Sequence, residues 1–227
     1  MDIKGSVALV TGGNRGIGRA FARALVQHGA AKVYVGVRDP GSVQDADVVP
    51  LRLDVTDERG IAAAAREAGD VSILINNAGV GDGRTALLEG TLDGARQAME
   101  VNLFGTWRVS RAFAPILARN GGGALVNMLS LASWGGRPGF PGYAASKAAQ
   151  WSLTDSLRQG LREQGTLVIG VHVGFVDTDM AAWVDAPKIS PEAVAEQTME
   201  ALLAGRAEVL ADERTREAKA ALSQPIV

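Results

Sequence analysis

Val7-Ala8-Leu9-Val10-Thr11-Gly12-Gly13-Asn14-Arg15-Gly16-Ile17-Gly18 is the stretch on which the reading of the fold turns. Its first four residues are a short β-branched and aliphatic run, the signature of a strand buried on both faces. A glycine-rich loop follows, and the pattern then becomes helical over Gly16–His28. Glycines let a backbone turn tightly, and a helix start offers unpaired N–H groups to anionic oxygens. The spacing is Thr-Gly-x-x-x-Gly-x-Gly rather than Gly-x-Gly-x-x-Gly. One reading makes Gly12, Asn14, Arg15, Gly16, Ile17 and Gly18 the cradle of a dinucleotide pyrophosphate. The other makes them a turn that lets helix and strand pack closely. Position after the first strand of an alternating chain favours the cradle.

Outward from this loop the alternation continues. Val33–Val37, Pro50–Leu53, Ser72–Asn76, Ala124–Met128 and Leu167–Val173 read as strands. Thr56–Ala68, Thr91–Arg119, Tyr143–Glu163 and Pro191–Leu203 read as helices, with a short strand near Val209 and a charged helix from Asp212. Such a pattern predicts an α/β fold with a parallel sheet and helices on both faces. No repeat or linker divides residues 1–227, so one domain is expected. Asp39–Val49 is too short for a full crossover helix and predicts a single turn or none.

Composition narrows the function. The chain is 47% hydrophobic and 21% charged, with a net charge of −2. That balance fits a globular protein and lacks the basic stripe of a nucleic-acid or anionic-membrane binder. The absence of cysteine excludes disulfides, thiolate metal ligands and a cysteine nucleophile. Only His28 and His172 remain as imidazoles, one beside a helix end and one in a strand, so no metal site is expected. No apolar run suits a signal peptide or a membrane span, and a cytoplasmic protein is the expectation.

The second strand ends Val35-Gly36-Val37-Arg38-Asp39. A carboxylate at this end would suit the 2′-hydroxyl of NAD(H), a cation the 2′-phosphate of NADP(H). Val37 stands at the acidic position, Arg38 follows it, and Arg15 is placed to close on the same phosphate. Planar guanidinium groups suit phosphate. NADP(H) is therefore the expected cofactor, with Asp39 keeping NAD(H) as the alternative. Asp54-Val55 would lie over adenine, or Asp54 would cap the next helix. Asn76-Asn77-Ala78-Gly79 leaves room for the adenine ribose, and its Asn pair also suits bridging between strands.

Tyr143 and Lys147 lie four apart in Tyr-Ala-Ala-Ser-Lys, on one helical face. An ammonium beside a phenol favours the phenolate and lowers its pKa, which would suit general acid–base work. The pair alone is a weak signal. Ser130 strengthens it, because it follows the strand Ala124–Met128 at the carboxyl end where open α/β sheets bind ligands. Its hydroxyl would donate to a substrate carbonyl while Tyr143 delivers a proton. Ser133 is the lesser candidate. Asn102 sits mid-helix, where Asn is unfavourable. It marks either a kink with a water relay to Lys147 or an exposed polar position.

Together, Thr11–Gly18, Asn76–Gly79, Asn102, Ser130, Tyr143 and Lys147 resemble the short-chain dehydrogenase/reductase family, single-domain branch, over almost the whole chain. The resemblance implies a Rossmann-type, doubly wound, seven-stranded parallel sheet and a catalytic tetrad. Tyr143 would be the general acid/base, Ser130 would orient the carbonyl, and Lys147 would lower the Tyr143 pKa and hold the nicotinamide ribose. Asn102 would support a water relay. Gly174, the Val176 backbone and Thr178 would bind the nicotinamide end, although Val173-Gly174 stands where the family has Pro-Gly. Ser133 stands where glycine is usual and would add a side chain at the pocket rim. A homodimer or homotetramer through Thr91–Arg119 and Tyr143–Glu163 is also implied. The short segment between Met180 and Pro191 predicts an open pocket lined by Leu131, Trp134, Phe140, Met180 and Trp183. The expected activity is NADP(H)-dependent reduction of a ketone or aldehyde, or oxidation of a secondary alcohol. The alternative is a non-enzymatic NADP(H)-binding sensor or scaffold, a class that typically lacks the Tyr or the Lys retained here.

Overall fold

A computed structural model describes residues 1–83 and 86–224. Strands β1 (Val7–Thr11), β2 (Lys32–Val37), β3 (Val49–Arg52), β4 (Ile73–Asn76), β5 (Ala124–Met128), β6 (Leu167–His172) and β7 (Glu208–Leu210) form one sheet. Their order is β3-β2-β1-β4-β5-β6-β7, and every pairing is parallel. The helices are α1 (Gly16–Gln27), α2 (Glu58–Glu67), α3 (Asp93–Ala98), α4 (Thr106–Arg119), α5 (Pro141–Gly160), α6 (Pro191–Ala204) and α7 (Glu213–Ala221). The expected doubly wound, Rossmann-type sheet is thus present. Between β2 and β3 stands one 3-10 turn, Pro40–Ser42, as the short crossing requires.

The period of two along the strands sorts the core into halves. Ala8, Val10, Ile73, Ile75, Val126, Ile169 and Val171 pack with Phe21 and Leu25 of α1 and with Val194, Met199 and Leu202 of α6. Leu9, Leu74, Leu125 and Val168 face the other way, onto Ile61 of α2 and Val109, Phe113 and Leu117 of α4. The strand order reverses at β1, between β4 on one side and β2 on the other. That switch point is where open α/β sheets hold ligands, at the carboxyl ends of the strands.

The helix expected over Thr91–Arg119 is not uniform. A π-helical segment, Met99–Gly105, joins α3 to α4 and contains Asn102. Gly105 lies so close to Val55 that a Cβ there would stand 2.7 Å from Val55 Cγ2. The bulge and the glycine together bring this helix against the strand ends. Among the described residues, no helix is long and apolar enough to cross a membrane.

Candidate active site

One cleft of about 1940 Å³ runs over the carboxyl ends of the central strands. That exceeds the roughly 300–1,000 Å³ of an ordinary small-molecule pocket and leaves room for a dinucleotide with a substrate. Of the residues named from the sequence, Gly12, Asn14–Gly18, Arg38, Asp54, Val55, Asn77–Gly79, Ser130, Tyr143, Lys147, Gly174, Val176 and Thr178 line it. Asn102 does not. It is fully buried.

The glycine loop is held from below. Thr11 Oγ1 accepts hydrogen bonds from the amides of Asn77 and Ala78, at 3.0 Å each. Asn77 Nδ2 donates to the carbonyls of Thr11 and Gly12. Gly16 has φ +53°, a left-handed conformation that favours glycine. Gly18 is required by space instead, as a Cβ there would lie 2.2 Å from Gly12 O. Arg15 sits at the N-cap of α1 with an extended backbone and gives no side-chain cap. Among the described residues no side chain accepts from the first amides of α1, which open onto the cleft, a donor set that fits a pyrophosphate.

At the ribose end, Asp54 accepts from the Thr56 amide and hydroxyl. Burial works against its carboxylate, but these bonds and the charge of Arg38 outweigh it and hold its pKa below the ordinary value. The helix cap is Asp57, which accepts from the Arg59 amide, so capping by Asp54 is set aside. Asp39 closes its own turn by accepting from Gly41 N. Asn14 donates to Ser42 Oγ, tying the loop to the short crossing. Arg15 departs from expectation. Its Nη1 lies 3.1 Å from Asp179 Oδ2 across the cleft rather than beside Arg38. Both side chains are largely exposed, and such pairs contribute only about 0–1 kcal/mol, so Arg15 is readily redirected.

Ser130 caps a 3-10 turn, Leu131–Ser133, immediately past β5. Its Oγ accepts from the Ala132 amide at 3.1 Å, leaving its hydroxyl proton to donate. The Ser130 hydroxyl faces the Tyr143 phenol closely enough to favour the phenolate. Burial pushes the Tyr143 phenol above its ordinary pKa, and the Ser130 bond pulls it back in part. Lys147 does not supply the expected lowering in this structure. Its Nζ, 5.9 Å from the Tyr143 ring centroid, donates to Met128 O at 2.7 Å and Gln150 Oε1 at 2.8 Å. Burial alone brings its pKa down to about 7, so near neutrality only part of its charge is present to act on the phenol.

Lysine in the unfolded chain titrates near pH 10.4. Between pH 7 and that value the unfolded chain binds a proton that the folded chain releases, so stability rises with pH in this window. Lys147→Met removes the effect. Relative to that variant, the parent gains about 2 kcal/mol in urea unfolding between pH 7 and pH 9. An unchanged difference would mean that Lys147 keeps an ordinary pKa.

Asn102 is not exposed. Its Oδ1 accepts from Val80 N, and its Nδ2 donates to Val80 O and to Ser146 Oγ, each at 2.9 Å. Ser146 in turn donates to Tyr143 O. The side chain clamps the loop after β4 to α5, using both Nδ2 protons and leaving one Oδ1 lone pair free to accept. Gly174 also differs, because its amide is taken by Asp212 Oδ2 at 2.7 Å. Asp212 is the N-cap of α7. Thr178 Oγ1 donates to Val176 O at 3.4 Å.

Leu131, Phe140, Met180 and Trp183 line the cleft, as the open-pocket reading requires. Trp134 does not line it, because its ring is stacked on His172 behind the wall, with centroids 4.0 Å apart. Ser133 is buried away from the rim, where its Oγ accepts from Ser130 N.

Asp82 and Gln150 join the site without a motif of their own. Asp82 is buried, and its Oδ2 accepts from Tyr143 N at 3.0 Å. This caps α5, whose own N-cap, Phe140, offers no side chain. Gln150 could be read from its i+3 spacing to Lys147. Nothing local in the sequence marks Asp82 as a cap.

The model for short chain dehydrogenases matches residues 6–188. The chain is a short-chain dehydrogenase. A 3-oxoacyl-acyl-carrier-protein reductase from Vibrio harveyi is 32% identical to it over 189 residues, covering 79% of this dehydrogenase and 77% of that one. A short-chain dehydrogenase from Burkholderia cenocepacia, crystallised with NADP, superposes with a TM-score of 0.94 at 39% identity, covering 99% and 95% of the two chains. A relative from Burkholderia phymatum, crystallised with NAD, gives 0.86 at 27% identity, covering 100% and 99%. This dehydrogenase is an oxidoreductase of the nicotinamide-dependent kind, built on the family's sheet.

Proposed function

We propose that this dehydrogenase is an NADP(H)-dependent carbonyl reductase or alcohol dehydrogenase, interconverting a small ketone or aldehyde with its alcohol. The observation that carries the reading is the Ser130–Tyr143 hydroxyl pair beside Lys147, in the same cleft as the uncapped start of α1. In this reading Gly12 and Asn14–Gly18 hold the pyrophosphate, Asp54 and Val55 meet the adenine, and Asn77–Gly79 border its ribose. Lys147 holds the nicotinamide ribose, and Gly174, Val176 and Thr178 border the nicotinamide. When bound, the dinucleotide supplies or accepts the hydride. The chain supplies the rest. Ser130 donates its free hydroxyl proton to the substrate oxygen, which orients the carbonyl and stabilises charge developing there. Tyr143 gives its phenolic proton to that oxygen in reduction and takes it back in oxidation. Phe140, Met180 and Trp183 offer apolar surface to the substrate's carbon skeleton.

NADP(H) is favoured because Val37 leaves no carboxylate at the end of β2 and Arg38 faces the cleft beside Asp54. The relative that carries NADP is also the more similar of the two structures described above. Loss of a charged hydrogen bond costs roughly 1.5–3 kcal/mol, or about 10–100-fold in affinity. Arg38→Glu therefore raises the Kd for NADPH by that factor and leaves NADH within about threefold, measured by fluorescence titration. Equal losses for both would remove the argument for NADP(H). Absorbance of the reduced cofactor, followed against a panel of ketones and aldehydes, tests the activity itself. Absence of turnover with both NADPH and NADH would overturn it in favour of a cofactor-binding sensor or scaffold.

A further inference from the structure

His172 ends β6 and is almost fully buried, directly behind Ser130. Its Nδ1 lies 3.3 Å from Ser130 O, and its ring stacks on Trp134 at 4.0 Å with Trp151 edge-on at 6.5 Å. Nothing in the proposed chemistry uses this imidazole. Burial lowers its pKa to about 4, so at neutral pH it carries one proton. The surroundings assign that proton. Nδ1 has an acceptor within bonding distance, whereas Nε2 stands 3.8 Å from Glu208 Oε1. Glu208 is satisfied elsewhere, by Lys219 Nζ at 2.8 Å. The same ammonium lies over the rings of Trp134 and Trp151, closing the cluster from α7. The single proton is thus left on Nδ1, facing Ser130.

We propose that His172 is a positioning residue, which donates from Nδ1 to Ser130 O and so aims the Ser130 hydroxyl at Tyr143 and the substrate oxygen. The inference rests on Ser130 acting as described under the proposed function. The Ser130 carbonyl already accepts from Ser133 N at 3.0 Å. The N–H of the same peptide, Leu131 N, donates to Val173 O, and Leu129 N donates to Val171 O. The peptide is thus held at its nitrogen, and a second donor at its oxygen, from His172 at the end of β6, fixes the carbonyl direction and with it the side chain. The His172 bond completes this run.

The test separates donor from bulk. His172→Phe keeps a flat ring for Trp134 and removes the donor. His172→Asn places an amide near the Nδ1 position and removes the ring. The chain has two tyrosines, so in a Tyr34→Phe background 3-fluorotyrosine gives one fluorine resonance, that of Tyr143. Ser130→Ala defines its position without the Ser130 bond. His172→Phe should move the resonance toward that position and lower kcat about tenfold, with KM for NADPH within twofold. His172→Asn should keep both near the parent. A His172→Phe resonance that stays with the parent overturns the proposal, as does equal movement in both variants with an equal fall in melting temperature. If the parent protein turns over no carbonyl compound, the proposed function fails, and the resonance still decides the part played by His172.

Discussion

Tyr143→Phe lowers kcat for carbonyl reduction about 10³-fold and leaves the Kd for NADPH within about threefold. Positioned proton transfer contributes roughly 10²–10⁴-fold, and this substitution removes the only phenolic proton in the cleft. The ring remains. Phe140 is edge-on to it at 6.1 Å, and the α5 cap at Tyr143 N uses Asp82 and the backbone alone. The fold should therefore be undisturbed. Ser130→Ala is the companion measurement. It removes a donor to the substrate oxygen and the hydroxyl that holds the Tyr143 pKa down, so kcat should fall by a constant factor across neutral pH in the oxidation direction. There Tyr143 must be deprotonated, and its raised pKa leaves less phenolate available. A fully active Tyr143→Phe enzyme would end the proposed mechanism.

Gly18→Ala should be nearly as damaging to cofactor binding, for a different reason. The new Cβ meets Gly12 O at 2.2 Å and Asn77 Nδ2 at 2.5 Å. Gly12 O is itself an acceptor for that Asn77 amide, so the methyl group enters an existing hydrogen bond. Either α1 moves away from β1 or the loop opens. Overpacking of this kind costs about 1–3 kcal/mol, which in a chain of this size lowers Tm by about 5 °C. The displaced amides at the start of α1 also lose their aim at the pyrophosphate. The Kd for NADPH should rise roughly 10–100-fold, as expected for one lost charge-assisted bond. Calorimetry reports both quantities. An alanine variant that binds NADPH as the parent does would show that Gly18 is not part of the cradle.

Both predictions begin with residues legible in the sequence, and their partners were not. Tyr143 and Lys147 are paired by helical geometry, so spacing alone puts them on one face. Gly18 was visible because a glycine at a helix start after a strand has a local meaning. Asp82, in contrast, reaches Tyr143 N across 61 positions, and Arg15 meets Asp179 across 164. No periodicity reports such contacts. Trp134 shows the same limit. Its place between Ser130 and Phe140 predicts a pocket wall, yet its ring stacks on His172 of β6 behind that wall. Asn102 is a misfit in a regular helix, and the helix is irregular there. Its outcome, a π segment clamped to Val80, depended on how closely Gly105 lets the helix approach Val55.

By itself the sequence determined the alternation of strands and helices, the glycine loop at the first turn, and the helical face bearing Tyr143 and Lys147. These follow from interactions within a few residues, where backbone geometry leaves little choice. Tertiary structure alone decided the direction of Arg15, the capping of α5 by Asp82, the bond from Lys147 to Met128 O, and the imidazole behind Ser130. Each depends on which side chains the parallel sheet brings together at its carboxyl edge, from segments far apart in the chain.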